Sequence, residues 1–117
     1  MGNSQSSCSG SSSSADAQAN VEQIIQSDAV VVFAKVSCPY CAATKRLLRK
    51  KGVKYTAINV DVTKGGTAMH SALKQMTGHR TVPSIFIGQK HIGGNSEIQS
   101  INKTGELDHL LRDARAI

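Results

Sequence analysis

The chain's 117 residues suffice for one domain with a modest core, and its 39% hydrophobic residues must build that core without any Trp. No apolar run approaches the roughly 18 residues of a membrane-spanning helix. The formal charge of +6 favours anionic partners, but no nucleic acid is expected: only Phe33, Phe86, Tyr40 and Tyr55 could stack on bases, and no recognised binding motif accompanies the Lys and Arg residues.

In chain order, residues 1–16 differ from everything after them. Ser4, Ser6, Ser7, Ser9 and Ser11 to Ser14 crowd the segment and Asp16 is its one charged side chain, so a disordered tail is expected. It has no apolar stretch of the secretory kind, and no Lys or Arg precedes Lys35. Met1-Gly2-Asn3-Ser4-Gln5-Ser6 fits the pattern for N-myristoylation at Gly2. One acyl chain holds a membrane only marginally, and palmitoylation of Cys8 would supply the second signal. On this reading the protein is cytoplasmic and membrane-associated through its N-terminus. The plainer alternative is a low-complexity extension in which Cys8 is incidental.

The folded domain is expected over residues 17–117. Val21, Ile24 and Ile25 fall at helical spacing in a helix ending near Asp28. The β-branched run Val30-Val31-Val32-Phe33-Ala34 reads as a central strand covered on both faces. A helix follows from about Pro39 to Lys51, with Pro tolerated in its first turn and Gly52 at its exit. A second strand lies within Lys54 to Val60. A helix bearing Met69, Ala72, Leu73 and Met76 on one stripe closes at Gly78. Ser84 to Ile87 and Lys90 to Ile92 flank Gly88-Gln89 as a hairpin. After Gly93-Gly94 come two short helices, the second with Leu107, Leu110, Leu111 and Ala114 on one face. A strand, a crossover helix and a strand make a parallel pair, to which the hairpin adds antiparallel strands. The pattern predicts a thioredoxin-like α/β fold with a four-stranded mixed sheet flanked by helices.

Three cysteines are too few for a disulfide framework; Cys38 and Cys41 form a CxxC pair, which reads as redox or metal chemistry. Cys38 lies between a buried strand and a helix, where unpaired N–H groups and the positive end of the helix dipole would face its sulfur. With Lys35 three residues upstream, the Cys38 pKa should be depressed and the thiolate, the nucleophilic form, populated. Cys41, one turn on and turned inward, should be less acidic and suited to resolving a mixed disulfide formed at Cys38. Zinc would want four ligands, and there is no second CxxC; His70, His79, His91 and His109 are scattered and read as surface or hydrogen-bonded side chains.

Lys35-Val36-Ser37-Cys38-Pro39-Tyr40-Cys41, Thr81-Val82-Pro83-Ser84-Ile85-Phe86-Ile87 and His91-Ile92-Gly93-Gly94-Asn95-Ser96-Glu97 together resemble, in order, three motifs of the glutaredoxin family, dithiol class. The resemblance runs from about Val21 to the C-terminus. It implies a thiol–disulfide oxidoreductase with glutathione as cosubstrate, acting on glutathionylated or disulfide-containing proteins, as a monomer. It implies a cis peptide at Pro83, and a glutathione site built from the Thr81-Val82-Pro83 segment, Gly94 and the residues around them. Lys35 would contact the glycine carboxylate and Tyr40 would line the cleft beside the sulfur. Val82 would pair with the cysteinyl backbone in strand fashion. Ser96, at a helix N-terminus, would hold the γ-glutamyl carboxylate, and Glu97 would take the family's Asp role toward the γ-glutamyl ammonium. His70 stands where many members carry Gln near the glycine carboxylate. Some members instead carry an iron–sulfur cluster between two chains, a rival reading here. A thioredoxin-like reductase is a second rival, opposed by Tyr40 and by the Gly93-Gly94-Asn95-Ser96 turn.

Overall fold

The structure is a computed structural model and describes residues 14–117. Its elements follow the expected order: α1 (Ser14–Ser27), β1 (Val30–Ala34), α2 (Pro39–Lys50), β2 (Thr56–Asn59), α3 (Gly66–Thr77), β3 (Ser84–Ile87), β4 (Lys90–Gly93), α4 (Asn95–Thr104) and α5 (Glu106–Asp113). The sheet order is β2-β1-β3-β4, with β1 and β2 parallel and the other two pairs antiparallel. The fold is the thioredoxin-like mixed sheet that the pattern predicts.

Period-two alternation in β1 explains the layering. Val30, Val32 and Ala34 join Leu47, Leu48, Ile85, Ile87, Ile98, Leu107 and Leu111 in a core on the face covered by α2, α4 and α5. Val31 and Phe33 point the other way, into a core with Val21, Ile25, Met69, Leu73 and Phe86 beneath α1 and α3. All five β1 residues are buried, which is why the strand reads as a continuous apolar run rather than an alternating one. Phe33 and Phe86 meet edge to face, with centroids 5.9 Å apart.

Helix α1 begins at Ser14, three residues ahead of the expected start at Ala17. Ala17 is buried and opens the stripe Ala17, Val21, Ile25. The turn ahead of it, with Asp16 at the favourable helix end, completes the helix that carries this stripe. The boundary at residue 16 therefore falls inside α1. Gly2 and Cys8 lie outside the described residues. No helix among those described is long and apolar enough to cross a membrane. The hairpin turn takes φ of 57° at Gly88 and 69° at Gln89, both positive as a two-residue hairpin loop favours.

Gly66 starts α3 where a side chain is forbidden: a Cβ there would overlap the Val60 carbonyl just past β2. This close approach seats α3 against the C-terminal end of the parallel pair, the end at which Cys38 emerges.

Candidate active site

Cys38 is the N-cap of α2, in extended conformation (φ −87°, ψ 119°), with Pro39 as the first helical residue. Pro39 has no N–H to leave unpaired, and its ring presets the helical φ. The chain turns tightly into the helix, with the Cys38 N–H donating to the Lys35 carbonyl (3.4 Å) and the Ala42 N–H to the Cys38 carbonyl (3.1 Å). No side chain caps α2, so its first N–H groups are directed to the sulfur.

The electrostatics follow. Partial burial pushes the Cys38 thiol up, but hydrogen bonds from the Cys41 N–H, the Cys41 thiol and the Tyr40 N–H, with the Lys35 charge, outweigh it and hold the pKa below the ordinary thiol value. The partner thiol behaves oppositely. Cys41 is buried, and desolvation, reinforced by donation to Cys38 and by its negative charge, raises its pKa to about 11. One cysteine is a ready nucleophile and the other is a protonated reserve beside it. Both are free thiols.

Beside the pair lies an open cleft of about 480 Å³. Of the residues expected to bind ligand, Tyr40, Thr81, Val82, Pro83, Gly94, Ser96 and Glu97 all line it. The Val82–Pro83 bond is cis, and the Cys38 thiol sits 3.8 Å from the Val82 carbonyl. Tyr40 is 65% exposed and forms an open rim. Lys35 lies outside the lining, exposed at the end of β1, within electrostatic reach of both Cys38 and His70. Burial, then the charges of Lys74 and Lys35, hold the half-buried His70 imidazole below its ordinary pKa, against a backbone hydrogen bond at Arg80. Its Nε2 is buried without a hydrogen-bond partner among the described residues.

Helix α4 opens at the far wall of the cleft with Gly94 as N-cap, so Asn95, Ser96 and Glu97 supply its first turn. Gly94 has no side chain to cap the helix. Glu97 compensates from the third position, its Oε1 accepting the Gly94 N–H at 2.7 Å. One carboxylate oxygen is thus committed to the turn, a reach the longer Glu side chain makes. Gly93 takes a φ of 122°, and a Cβ on it would come within 2.8 Å of Glu97 Cγ.

Two further residues line the cleft that the sequence analysis did not place there: His79 and Asn95. Asn95 Oδ1 accepts from the buried Thr44 hydroxyl on α2 (3.0 Å) and from Gln99 Nε2 (3.2 Å), tying the α4 N-terminus to the helix that carries both cysteines. Its only signal in the sequence is its position between Gly94 and Ser96. His79 is signalled by standing two residues before Thr81. Among the described residues, no group of three or more His, Cys, Asp or Glu side chains is arranged to hold a metal ion.

The family model described as Glutaredoxin matches residues 30–92. Glutaredoxin-C2 of Arabidopsis thaliana is 43% identical over 101 residues, covering 86% of this chain and 91% of the relative. A glutaredoxin of Ricinus communis is 42% identical over 101 residues, covering 86% and 99%. Among solved structures, a buckwheat glutaredoxin–glutathione complex superposes with a TM-score of 0.87 at 38% identity, covering 89% of this chain and 94% of that one. Wheat glutaredoxin gives 0.83 at 43% identity, covering 86% and 93%.

Proposed function

Because the chain belongs to the glutaredoxin family, it is a thiol–disulfide oxidoreductase, and we propose that it uses glutathione to reduce protein–glutathione mixed disulfides and protein disulfides through Cys38. The observation that carries this is the Cys38 sulfur at the N-terminus of α2, held acidic by the N–H groups of Cys41 and Tyr40 beside an open cleft.

In the first step the Cys38 thiolate attacks the glutathione sulfur of the adduct. The S–S bond to the target protein breaks, a new one forms between Cys38 and glutathione, and the protein thiolate leaves and takes a proton from solvent. A second glutathione thiolate then attacks the sulfur of bound glutathione, releasing glutathione disulfide and the Cys38 thiolate. The lowered pKa that favours the Cys38 thiolate also makes it the better leaving group in this second step. With a protein disulfide, Cys38 forms a mixed disulfide with one half. Cys41 then gives up its proton and attacks Cys38, leaving a Cys38–Cys41 disulfide and the reduced protein.

The cleft suits glutathione in one direction. The α4 N-terminus, at Ser96, would receive the γ-glutamyl carboxylate, and the free oxygen of Glu97 its ammonium. Val82 would pair with the cysteinyl backbone and place its sulfur next to Cys38. Lys35, with His70 close by, would take the glycine carboxylate.

The test is glutathione-dependent reduction of a small mixed disulfide coupled to glutathione reductase and NADPH. Wild type should turn over, Cys38→Ser should be dead, and Cys41→Ser should keep deglutathionylation while losing protein-disulfide reduction. A dead Cys41→Ser would rule out the monothiol step. A wild type without turnover, coloured when purified anaerobically, would make the iron–sulfur carrier the leading reading.

Acylation at Gly2 and Cys8 is a separate proposal, resting on the Met1-Gly2-Asn3-Ser4-Gln5-Ser6 pattern. Co-expression with a myristoyltransferase should add one acyl mass and weak, reversible vesicle binding, both lost in Gly2→Ala.

A further inference from the structure

We propose that His79 is a positioning residue that braces the cis-proline segment against the first turn of α4 and so sets the width of the cleft at its γ-glutamyl end. The inference rests on the glutathione reading above and adds to it a residue that none of the recognised motifs contains.

His79 leaves α3 immediately after Gly78, which ends that helix with a φ of 73°. Its backbone is fixed there, the N–H donating to Thr77 Oγ1 at 3.0 Å. The side chain meets both walls of the cleft. On one side Nε2 is 3.2 Å from the Pro83 carbonyl. A carbonyl oxygen only accepts, so Nε2 carries the proton and donates. The Thr81 hydroxyl lies 3.4 Å from the same nitrogen. On the other side the ring lies against Gly94: a Cβ on that residue would be 3.1 Å from His79 Cε1, 3.2 Å from Nε2 and 3.4 Å from Glu97 Oε1. The imidazole and the carboxylate thus converge over the N-cap of α4.

The ring is also supported from behind. His91 stands edge-on at 5.4 Å between centroids, its Nε2 is 3.1 Å from the hydroxyl of buried Ser84, and its ring lies 5.0 Å from Phe86. Burial, then the neighbouring His79, hold His91 below its ordinary pKa, so its neutral form is favoured there.

A ligand spanning the cleft pairs its cysteinyl backbone with the cis-proline segment and its γ-glutamyl group with α4. The separation of those walls must match that span, and His79 is the side chain that touches both. It stands on the γ-glutamyl side, so its loss should spare a ligand lacking that group.

The experiment compares two mixed disulfides of one peptide cysteine, with glutathione and with cysteinylglycine, which lacks the γ-glutamyl group. Single-turnover release of the peptide thiol by reduced protein gives a limiting rate and a half-saturating concentration. For His79→Ala the half-saturating concentration for the glutathione adduct should rise about 5–10-fold, as loss of one part-buried hydrogen bond predicts. Its limiting rate should stay within about twofold, and the cysteinylglycine adduct should be unaffected. The pH midpoint of Cys38 alkylation should not move. His79→Gln, whose amide can donate to the Pro83 carbonyl, should recover most of the loss. An unchanged half-saturating concentration for the glutathione adduct in His79→Ala overturns the proposal, and so do equal losses on both adducts. A wild type with no preference for the glutathione adduct would instead overturn the glutathione reading beneath it.

Discussion

The two thiols of the CxxC pair sit about one helical turn apart and have opposite fates, because one caps the helix and the other is inside it. Cys38 receives N–H groups that the helix leaves unpaired; Cys41 is stripped of water. The pH consequence has a clear sign. Iodoacetamide alkylation of Cys38 should rise through a midpoint below that of an ordinary thiol, while Cys41 stays silent until the pH nears 11; mass mapping of alkylated peptides from pH 4 to 10 checks both. A Cys41 whose midpoint matched that of Cys38 would contradict the buried, protonated reserve. Cys41 also binds its proton more tightly folded than unfolded. Its contribution to stability is therefore intact below the ordinary thiol range and is lost as pH climbs through about 11. Gly93 makes a second prediction at this scale. Its φ of 122° and the nearness of Glu97 leave no room for a methyl group, so Gly93→Ala should cost about 1–3 kcal/mol in denaturant unfolding. It should also weaken glutathione binding by displacing the Glu97 that closes the α4 turn.

Among the elements, α2 does two jobs. Its N-terminus activates Cys38, and its buried face, through Thr44, holds the start of α4. Thr44→Val preserves shape but removes the hydroxyl that donates to Asn95. Gln99 still donates to the same oxygen, so no buried acceptor is orphaned and the cost should be only about 0.5–1.5 kcal/mol. The more telling readout is KM for the glutathione adduct, which should rise as the α4 N-terminus loosens, with the Cys38 alkylation midpoint unmoved. At its C-terminal end α2 carries the basic cluster Lys45, Arg46, Arg49, Lys50 and Lys51. Lys51 pairs with Asp108 at 2.9 Å, Lys45 reaches Asn59 and Arg49 reaches Tyr55, both at 3.4 Å. Those contacts, with the favourable dipole at that helix end, support a solvated structural face over a docking surface.

Across the whole molecule, two apolar cores flank one sheet, and the catalytic end is the edge where β1 and the cis-proline segment before β3 meet the starts of α2 and α4. Leu107, fully buried on the inner face of α5, should cost about 2–5 kcal/mol when cut to Ala. Val62, 69% exposed on the loop after β2, should cost under about 0.5 kcal/mol. Urea unfolding of both variants reads the contrast, and reversed magnitudes would mean the core is misplaced. Glutathione turnover per folded molecule should survive Leu107→Ala, because α5 does not reach the cleft.

The amino-acid sequence by itself determined the element order, the two-faced burial of β1 and the downward direction of the Cys38 pKa shift. Each depends on residues close together in the chain: a β-branched run, a Pro in the first turn, a thiol just before it. The motif segments also carried eight of the cleft's lining residues, all but His79. Only the tertiary structure decided how those segments meet. Cys38 and Val82 are 44 positions apart, Thr44 and Asn95 are 51 apart, and the contact of His79 with Gly94 depends on where α3 ends relative to α4. Such contacts leave no periodic trace, because a histidine after a helix-ending glycine reads locally as a surface side chain. The early start of α1 is set in a related way: the short turn Ser14-Ala15-Asp16 has no apolar spacing of its own, and the buried stripe beginning at Ala17 sets its state.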